Sequence, residues 1–227
     1  LLGGSGQDTL RGEAGDDSID GGNESDLIYG GDGSDTLSGG AGSDTLFGGA
    51  GDDSFSHSNS GTDRIYGEAG DDSLSYTAYN SANGTVLFDG GAGNDTLVLV
   101  DQSTKRFTFD DSAYVRLNDV EVIELAGDAQ ILDLDSQAIR EFAPSTNATV
   151  DNTTYNAQTI LVVTSTGADT LVNLTDIDWV DTGDTTTVNG GETTYRIFQY
   201  GNEGIFVATN AVTALFGDRG NDSVVGT

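Results

Sequence analysis

The chain has 227 residues, with 38 acidic against 8 basic side chains for a net charge of −30, 33 glycines, one proline and no cysteine. This charge would repel nucleic-acid phosphates and anionic lipid head groups, so neither is expected as a partner. The lack of cysteine excludes disulfides, zinc–thiolate sites and a cysteine nucleophile. No apolar run approaches the roughly 18 residues of a membrane span, so direct membrane insertion is not expected. The many carboxylates suggest a hard cation.

Glycine is concentrated in the first part of the chain. Residues 1–98 hold 23 of the 33 glycines and 18 acidic against 2 basic residues, whereas residues 99–216 hold only 7 glycines, which predicts a domain boundary near residue 98. Such a glycine-rich, charged composition is by itself typical of disorder. Internal order contradicts that interpretation, because residues 3–56 divide into six nine-residue units in unbroken register.

Three further units follow, a degenerate one at 58–66 after the inserted His57, and intact ones at 67–75 and 90–98. Positions 1, 2 and 4 of the unit are mostly glycine, which permits positive φ and indicates a tight turn. Position 6 is always aspartate and position 8 is always large and apolar. The position-6 residues are Asp8, Asp17, Asp26, Asp35, Asp44, Asp53, Asp63, Asp72 and Asp95, and the position-8 residues are Leu10, Ile19, Ile28, Leu37, Leu46, Phe55, Ile65, Leu74 and Leu97.

The unit predicts one turn and one short strand with position 8 pointing inward and positions 7 and 9 outward. A single unit cannot bury its one apolar side chain, so units must stack, and two units per coil place repeat n directly below repeat n+2. Stacking also brings the position-6 carboxylates together, which is unfavourable unless a cation lies between them. Carboxylates and the carbonyl groups of glycine turns are the ligands that Ca²⁺ prefers.

These units resemble the RTX nonapeptide repeat GGxGxDxUx, a calcium-binding β-roll sequence. The resemblance implies an all-β fold, a parallel β-roll holding several Ca²⁺ ions between turns n and n+2 through the position-6 aspartates of both repeats and loop carbonyls. It also implies type I secretion and folding outside the cell, where ion affinities of about 10⁻⁴ to 10⁻³ M suffice. The carbonyls are assigned to positions 1 and 3, which are Gly3, Ser5, Gly12, Ala14, Gly21, Asn23, Gly30, Asp32, Gly39, Ala41, Gly48, Ala50, Gly67, Ala69, Gly90 and Ala92.

Two segments interrupt the repeats. Residues 76–89 contain Asn83-Gly84 before an apolar stretch and predict a hairpin or loop extruded from the roll. Residues 99–216 predict an inserted β-rich module with one short helix over 136–142, stopped by Pro144. Its predicted strands are 105–109, 114–117, 120–125, 130–134, 159–164, 170–174, 194–200 and 204–208.

The repeat restarts at 217–227, with Asp222 at position 6 as a further candidate ligand. The chain therefore begins and ends within a repeat, and we expect it to be a monomeric part of a longer array. The segments VEVIELAG and ILDLDSQAI in the inserted module resemble modules that lie between RTX arrays in large bacterial surface adhesins.

No catalytic motif is found, and no enzyme activity is expected of these residues. The only histidine, His57, stands at a repeat junction and is predicted to be a solvated loop residue. The acidic cluster Asp176, Asp178, Asp181 and Asp184 is either a further calcium site or a solvated turn. Trp179, Tyr195, Phe198 and Tyr200 predict core packing rather than an aromatic sugar-binding surface.

Three functions remain open from the sequence. The favoured one is a calcium-dependent folding, structural and secretion module of an extracellular adhesin. The second is a module in which residues 99–216 bind a glycan or peptide while the roll presents them. The third is the calcium-binding appendage of a secreted RTX enzyme whose catalytic domain lies outside these residues.

Overall fold

The computed structural model describes residues 1–57, 61–77, 85–100 and 115–126 with their side chains, and the remaining strands by their backbone. The strands are β1 (Leu2–Gly4), β2 (Thr9–Ala14), β3 (Ser18–Asn23), β4 (Leu27–Asp32), β5 (Thr36–Ala41), β6 (Thr45–Ala50), β7 (Ser54–His57), β8 (Thr62–Ala69), β9 (Ser73–Thr77), β10 (Thr85–Ala92), β11 (Thr96–Val100), β12 (Arg106–Phe109), β13 (Val115–Asn118), β14 (Val122–Ala126), β15 (Ile131–Leu134), β16 (Ala148–Val150), β17 (Thr153–Tyr155), β18 (Ile160–Ser165), β19 (Thr170–Leu174), β20 (Val180–Val188), β21 (Thr193–Tyr200), β22 (Glu203–Ala208) and β23 (Val212–Phe216).

The chain forms two compact units, Leu1–Thr104 with Ala113–Val120 and Lys105–Ser112 with Glu121–Thr227. The first unit is a parallel β-solenoid in which successive strands alternate between two sheets. One sheet has the order β1-β3-β5-β7-β9-β11 and the other β2-β4-β6-β8-β10-β13. Leu10 pairs with Ile28 and Ile28 with Leu46, so stacked residues come from repeats n and n+2. This confirms the prediction of two units per coil.

The interior of the roll follows from the period of two in its strands. Position-8 side chains point inward, and those from Ile19 to Leu97 are at most 2% exposed. From the third repeat onward, the described residues at positions 1 and 6 of the repeat lie on the same inner side and are also buried. The roll therefore has an apolar centre one side chain deep, with glycines and aspartates at its two turns.

The glycine turns require the left-handed region of backbone conformation at position 2, as at Gly22 with φ 104°. Glu13 and Glu68 stand at this position in their repeats and keep the same conformation, each with φ 76°. A side chain here costs roughly 1 kcal/mol or more. The turn geometry is thus imposed by stacking of the repeats and does not depend on glycine alone.

Residues 76–89 differ from the predicted extruded loop over the part that the structure describes. Residues 85–89 lie in β10, which pairs with β8 through Val86 and Asp63 and through Phe88 and Ile65. Val86 and Phe88 are fully buried. These residues therefore form another strand of the roll. The sequence missed it because valine occupies the position of the motif aspartate.

The second unit also contains parallel strands that alternate between sheets. The orders are β14-β18-β22 with β21 and β20 added antiparallel, and β12-β15-β19-β23, and β16 and β17 form a separate antiparallel pair. All eight strands predicted from the sequence between residues 105 and 208 are present within a few residues of their predicted ends, β13 among them as part of the first unit. The sequence missed β16, β17, β20 and β23.

Several predictions fall partly or wholly beyond the described residues. The helix over 136–142, the restart at 217–227 with Asp222, and the residues Asp176, Asp178 and Trp179 all lie outside them. Asp181 and Asp184 fall within β20, whose pairing with β21 is irregular between Asp181 and Thr185. Tyr195, Phe198 and Tyr200 lie in β21. In the described part of the chain, no helix has the length and apolar character needed to cross a membrane.

An aromatic ladder follows one outer face of the roll at position 9 of alternate repeats. The rings of Tyr29 and Phe47 stack with centroids 5.1 Å apart, and those of Phe47 and Tyr66 with centroids 5.0 Å apart. The Arg11 guanidinium lies 4.1 Å from the centre of the Tyr29 ring. These contacts join four successive coils without using a metal.

We expect Phe47→Ser to lower the free energy of unfolding at saturating calcium by about 1–2 kcal/mol, because it removes both stacking contacts of the central ring. Urea unfolding followed by circular dichroism measures this change. Ser38→Ala, at position 9 on the opposite face, is the control and should change stability by less than about 0.5 kcal/mol. Equal stability of the two variants would contradict a stabilising role of the ladder.

Candidate metal centre

The aspartates predicted as ligands form two columns, one along each row of turns. The first column contains Asp8, Asp26, Asp44 and Asp63, and the second contains Asp17, Asp35, Asp53, Asp72 and Asp95. From Asp26 onward these side chains are at most 4% exposed. The structure therefore brings together the residues that share position 6 and separates odd repeats from even ones.

From Asp26 onward, one oxygen of each carboxylate is held by the backbone. The amide of Asp26 donates to Oδ1 of Asp44 at 2.8 Å, and the amide of Asp35 donates to Oδ1 of Asp53 at 2.8 Å. The same bond recurs along both columns at 2.8–2.9 Å, always from repeat n to the carboxylate of repeat n+2. A carboxylate oriented in this way has its second oxygen directed at a defined place.

That second oxygen, Oδ2, is buried in most repeats and has no hydrogen-bond partner. The atoms concerned are Oδ2 of Asp8, Asp26, Asp35, Asp44, Asp53 and Asp72. A buried, unsatisfied carboxylate oxygen carries a large desolvation cost, so an array of them requires compensation by a cation or a proton.

A backbone carbonyl and an aspartate Oδ2 lie together beside most of the position-1 glycines. A Cβ atom placed on Gly12 would lie 2.6 Å from Oδ2 of Asp17 and 2.5 Å from the carbonyl oxygen of Gly30, the position-1 glycine two repeats later. Glycine at position 1 thus keeps open a space at which two oxygens converge. The same pair of oxygens surrounds Gly3, Gly21, Gly30, Gly48 and Gly67, and around Gly90 the carbonyl comes from Asp119. At Gly39 the nearest atoms all belong to Asp44.

The carbonyls predicted at position 3 lie at the solvent-exposed ends of the strands. Those of Asp32, Ala50, Ala69 and Ala92 already accept an amide hydrogen bond, at 2.7–2.9 Å, from the position-4 glycine two repeats earlier. A carbonyl has a second lone pair, so their role as ligands remains a prediction. The residues Ser5, Ala14, Asn23 and Ala41 occupy the equivalent exposed positions.

Burial makes these carboxylates difficult to ionise without a counter-ion. It raises the pKa of Asp44 and of Asp53 from 3.8 to about 6, and that of Asp72 to about 7. Neighbouring carboxylates of the same column raise the pKa values further, whereas backbone hydrogen bonds lower them. A pKa raised by this amount means that ionising each carboxyl group at neutral pH costs about 3 kcal/mol more in the folded roll than in the unfolded chain. A bound cation would offset this cost.

The donor set indicates which cation fits. Within the residues that the structure describes, no three histidine or acidic side chains cluster in a way that would hold a metal ion. The oxygens that converge beside the position-1 glycines are a carboxylate oxygen and a backbone carbonyl. Ca²⁺ accepts such an all-oxygen set with flexible geometry, whereas Zn²⁺ prefers nitrogen and sulfur ligands.

The carboxylate of Asp63 differs from the others. Its Oδ2 lies 2.6 Å from Nδ1 of His57, and both side chains are buried. The prediction that His57 is a solvated loop residue is therefore wrong. His57 is the last residue of β7, in the register set by Ser38 and Ser56, and its side chain is buried in the roll.

The comparisons with known proteins agree with the geometry. The RTX calcium-binding nonapeptide repeat matches in four copies, at residues 1–28, 29–56, 57–76 and 84–99. Residues 1–99 are an RTX calcium-binding repeat region. Ca²⁺ is accordingly the cofactor of these repeats, as the sequence predicted. The match at 84–99 includes the described part of the strand that the sequence analysis assigned to an extruded loop.

Beyond the repeats the similarities are weak. Among solved structures, the extracellular lipase LipA from Serratia marcescens aligns with 16% identity and a TM-score of 0.19, over 89% of this chain and 38% of the lipase chain. The present chain thus spans little more than a third of that protein. No curated protein matches the chain at a significant level.

We expect acid to replace calcium partly in the metal-free RTX roll. The folded-state pKa values of Asp44, Asp53 and Asp72 lie above the ordinary value of 3.8, so the folded roll binds more protons than the unfolded chain between about pH 4 and 7. Its stability in EDTA should therefore fall as pH rises through this range. Circular dichroism in EDTA should show more β-structure at pH 5 than at pH 7.5, and equal or lower β-content at pH 5 would contradict the burial of ionisable carboxylates.

Proposed function

We propose that residues 1–98 are a calcium-dependent folding and structural module of an extracellular protein. The observation that carries this proposal is the column of buried Oδ2 atoms that have no hydrogen-bond partner. A folded roll that requires several cations is stable only where the cation is abundant. The net charge of −16 over these residues opposes collapse where calcium is scarce.

In this proposal each ion lies beside the position-1 glycine of a repeat. Its ligands include Oδ2 of the position-6 aspartate in the same repeat and the position-1 carbonyl two repeats later. Gly12, Asp17 and Gly30 illustrate the arrangement, since both oxygens converge on the space that glycine leaves open. Binding would neutralise the columns and join coil n to coil n+2. Folding and ion binding are then a single cooperative process.

The same proposal includes the cellular context. Chains without cysteine and with one proline refold without a disulfide step and with few slow prolyl steps, which suits export in an unfolded state. We propose type I secretion and a role as a rigid module of a surface adhesin, with no catalytic activity in these residues. The β-rich second unit is then a further rigid segment. A glycan or peptide ligand for residues 99–216 is the alternative role.

We expect Asp53→Asn to weaken calcium-induced folding, because it removes the charge of a buried ligand while leaving an oxygen to accept the Asp35 amide. The calcium concentration at the folding midpoint should rise on the order of tenfold, and about one ion fewer should bind. A titration from EDTA into millimolar Ca²⁺, followed by circular dichroism with Mg²⁺ as a control ion, measures the midpoint.

Asp52→Asn provides the matched control, because it makes the same chemical change at the adjacent, exposed residue. Asparagine at this position can still accept the amide hydrogen bond from Asp71. Its midpoint should remain close to that of the unmodified chain. Equal effects of the two variants would show that the titration reports overall charge, and the proposed ion positions would be wrong.

A further inference from the structure

The position-1 residues beside the first column of aspartates form a row along the roll, called here the position-1 row. The residues of this row change from glycines to larger side chains part-way along the roll. In register, Gly3 stacks below Gly21 and Gly39, which are followed by His57, Tyr76 and Leu99. The glycines leave space beside the carboxylates of Asp8, Asp26 and Asp44. The later residues fill the corresponding space with side chains, and all three are buried. The open positions in this row therefore end at Gly39.

His57 takes the place that the glycines leave open. A Cβ atom on Gly21 or Gly39 would collide with Oδ2 of Asp26 or Asp44. His57 stands one coil further in the same row, and its Nδ1 contacts Oδ2 of Asp63 at 2.6 Å. When the Asp63 carboxylate is ionised it only accepts hydrogen bonds, and Nδ1 then carries the proton and donates it. The oxygen that faces open space elsewhere in the column is here satisfied by an imidazole.

The packing around the imidazole fixes this position. Its ring stacks on Tyr76 with centroids 5.6 Å apart and planes inclined by 10°. The residue His57 is 6% exposed and the residue Tyr76 is 8% exposed. A buried, stacked ring that is also hydrogen-bonded cannot move aside for an ion without losing both contacts.

The first column itself changes from aspartate to valine at the same place along the roll. Asp63 is followed in register by Val86 and then by Val115, both buried. Neither valine can bind a cation. The second column continues instead with Asp72 and Asp95, and the position-1 row beside it continues with Gly67 and Gly90. The two edges of one roll therefore differ in chemistry from the coil of Asp63 onward.

We propose that the His57 imidazole occupies the calcium position of the Asp63 repeat. The series of calcium ions along the first column of aspartates then ends at Asp44, whereas the series along the second column continues. This inference rests on the ion positions proposed above. It assigns to His57 and Asp63 a hydrogen bond that needs no metal, and to Tyr76, Val86, Leu99 and Val115 an apolar continuation of the same edge. The roll then binds unequal numbers of ions along its two edges.

Counting bound ions tests this assignment. Calcium bound per chain is measured by equilibrium dialysis for the unmodified protein, Asp63→Asn, His57→Gly and Asp53→Asn. We expect Asp63→Asn to keep the full number of ions, because Asp63 holds none. His57→Gly should bind one additional ion, because it restores a glycine beside a free Oδ2. Loss of an ion in Asp63→Asn, or no gain in a folded His57→Gly, would overturn the proposal.

Asp53→Asn separates the two proposals. Loss of an ion in this variant supports the proposed ion positions. An unexpected number of ions in Asp63→Asn or His57→Gly would then contradict only the proposed role of His57. No loss in Asp53→Asn would instead overturn the ion positions and, with them, this inference.

A second measurement does not depend on any variant folding. His57 is the only histidine in the chain, so ¹⁵N-labelled histidine gives a single set of imidazole signals in NMR spectra. In the calcium-loaded protein we expect a protonated Nδ1 whose proton exchanges slowly with water, as for a buried hydrogen bond. Signals of a freely exchanging imidazole would contradict the assignment.

Discussion

The structure of the RTX roll depends on the stacking of buried aspartates at intervals of two repeats. In the second column, Oδ1 of Asp53 accepts the amide of Asp35, while Oδ2 faces the space beside Gly48. The first contact fixes the position of the carboxylate and the second leaves a charge without compensation. The pKa values of Asp53 and Asp72 rise for this reason. The backbone register thus places carboxylates where a cation would compensate them, and in the proposed module calcium binding and folding depend on each other.

The other interactions of the roll are an apolar centre and an outer aromatic ladder. Each repeat contributes one inward apolar side chain, such as Leu37 or Leu46, and the centre is only one side chain deep. The outer ladder of Tyr29, Phe47 and Tyr66 joins coils on one face. Toward the end of the roll, Val86 and Leu99 add apolar packing where the first column has lost its aspartates. Apolar contacts thus increase at the point where aspartates no longer occupy the first column.

Much of this organisation could be predicted from the sequence because the motif maps directly onto the strand period. Position 8 faces inward, position 6 forms columns, and two units make a coil, all as expected. The strand at 85–89 was missed because Val86 replaces the aspartate by which a repeat is recognised, although Phe88 retains position 8. The role of His57 was missed because the repeat spacing allows the inserted residue to be His57 itself, whereas the strand register continues unshifted through Ser56 and shifts by one residue only beyond His57. Sequence spacing alone does not reveal on which side of a residue an insertion is accommodated.

The direction of the aspartate hydrogen bonds has a consequence for how such arrays can change in length. Every bond runs from an amide in repeat n to a carboxylate in repeat n+2, as from Asp17 to Asp35 and from Asp35 to Asp53. Gene duplications that add eighteen residues preserve every such partnership. An added block of nine before Gly67 would instead move Asp72 and Asp95 to the row of turns that holds Asp44 and Asp63, and would move Tyr76 and Val86 to the opposite row. Only duplication by whole coils therefore keeps each later residue on its own edge of the roll.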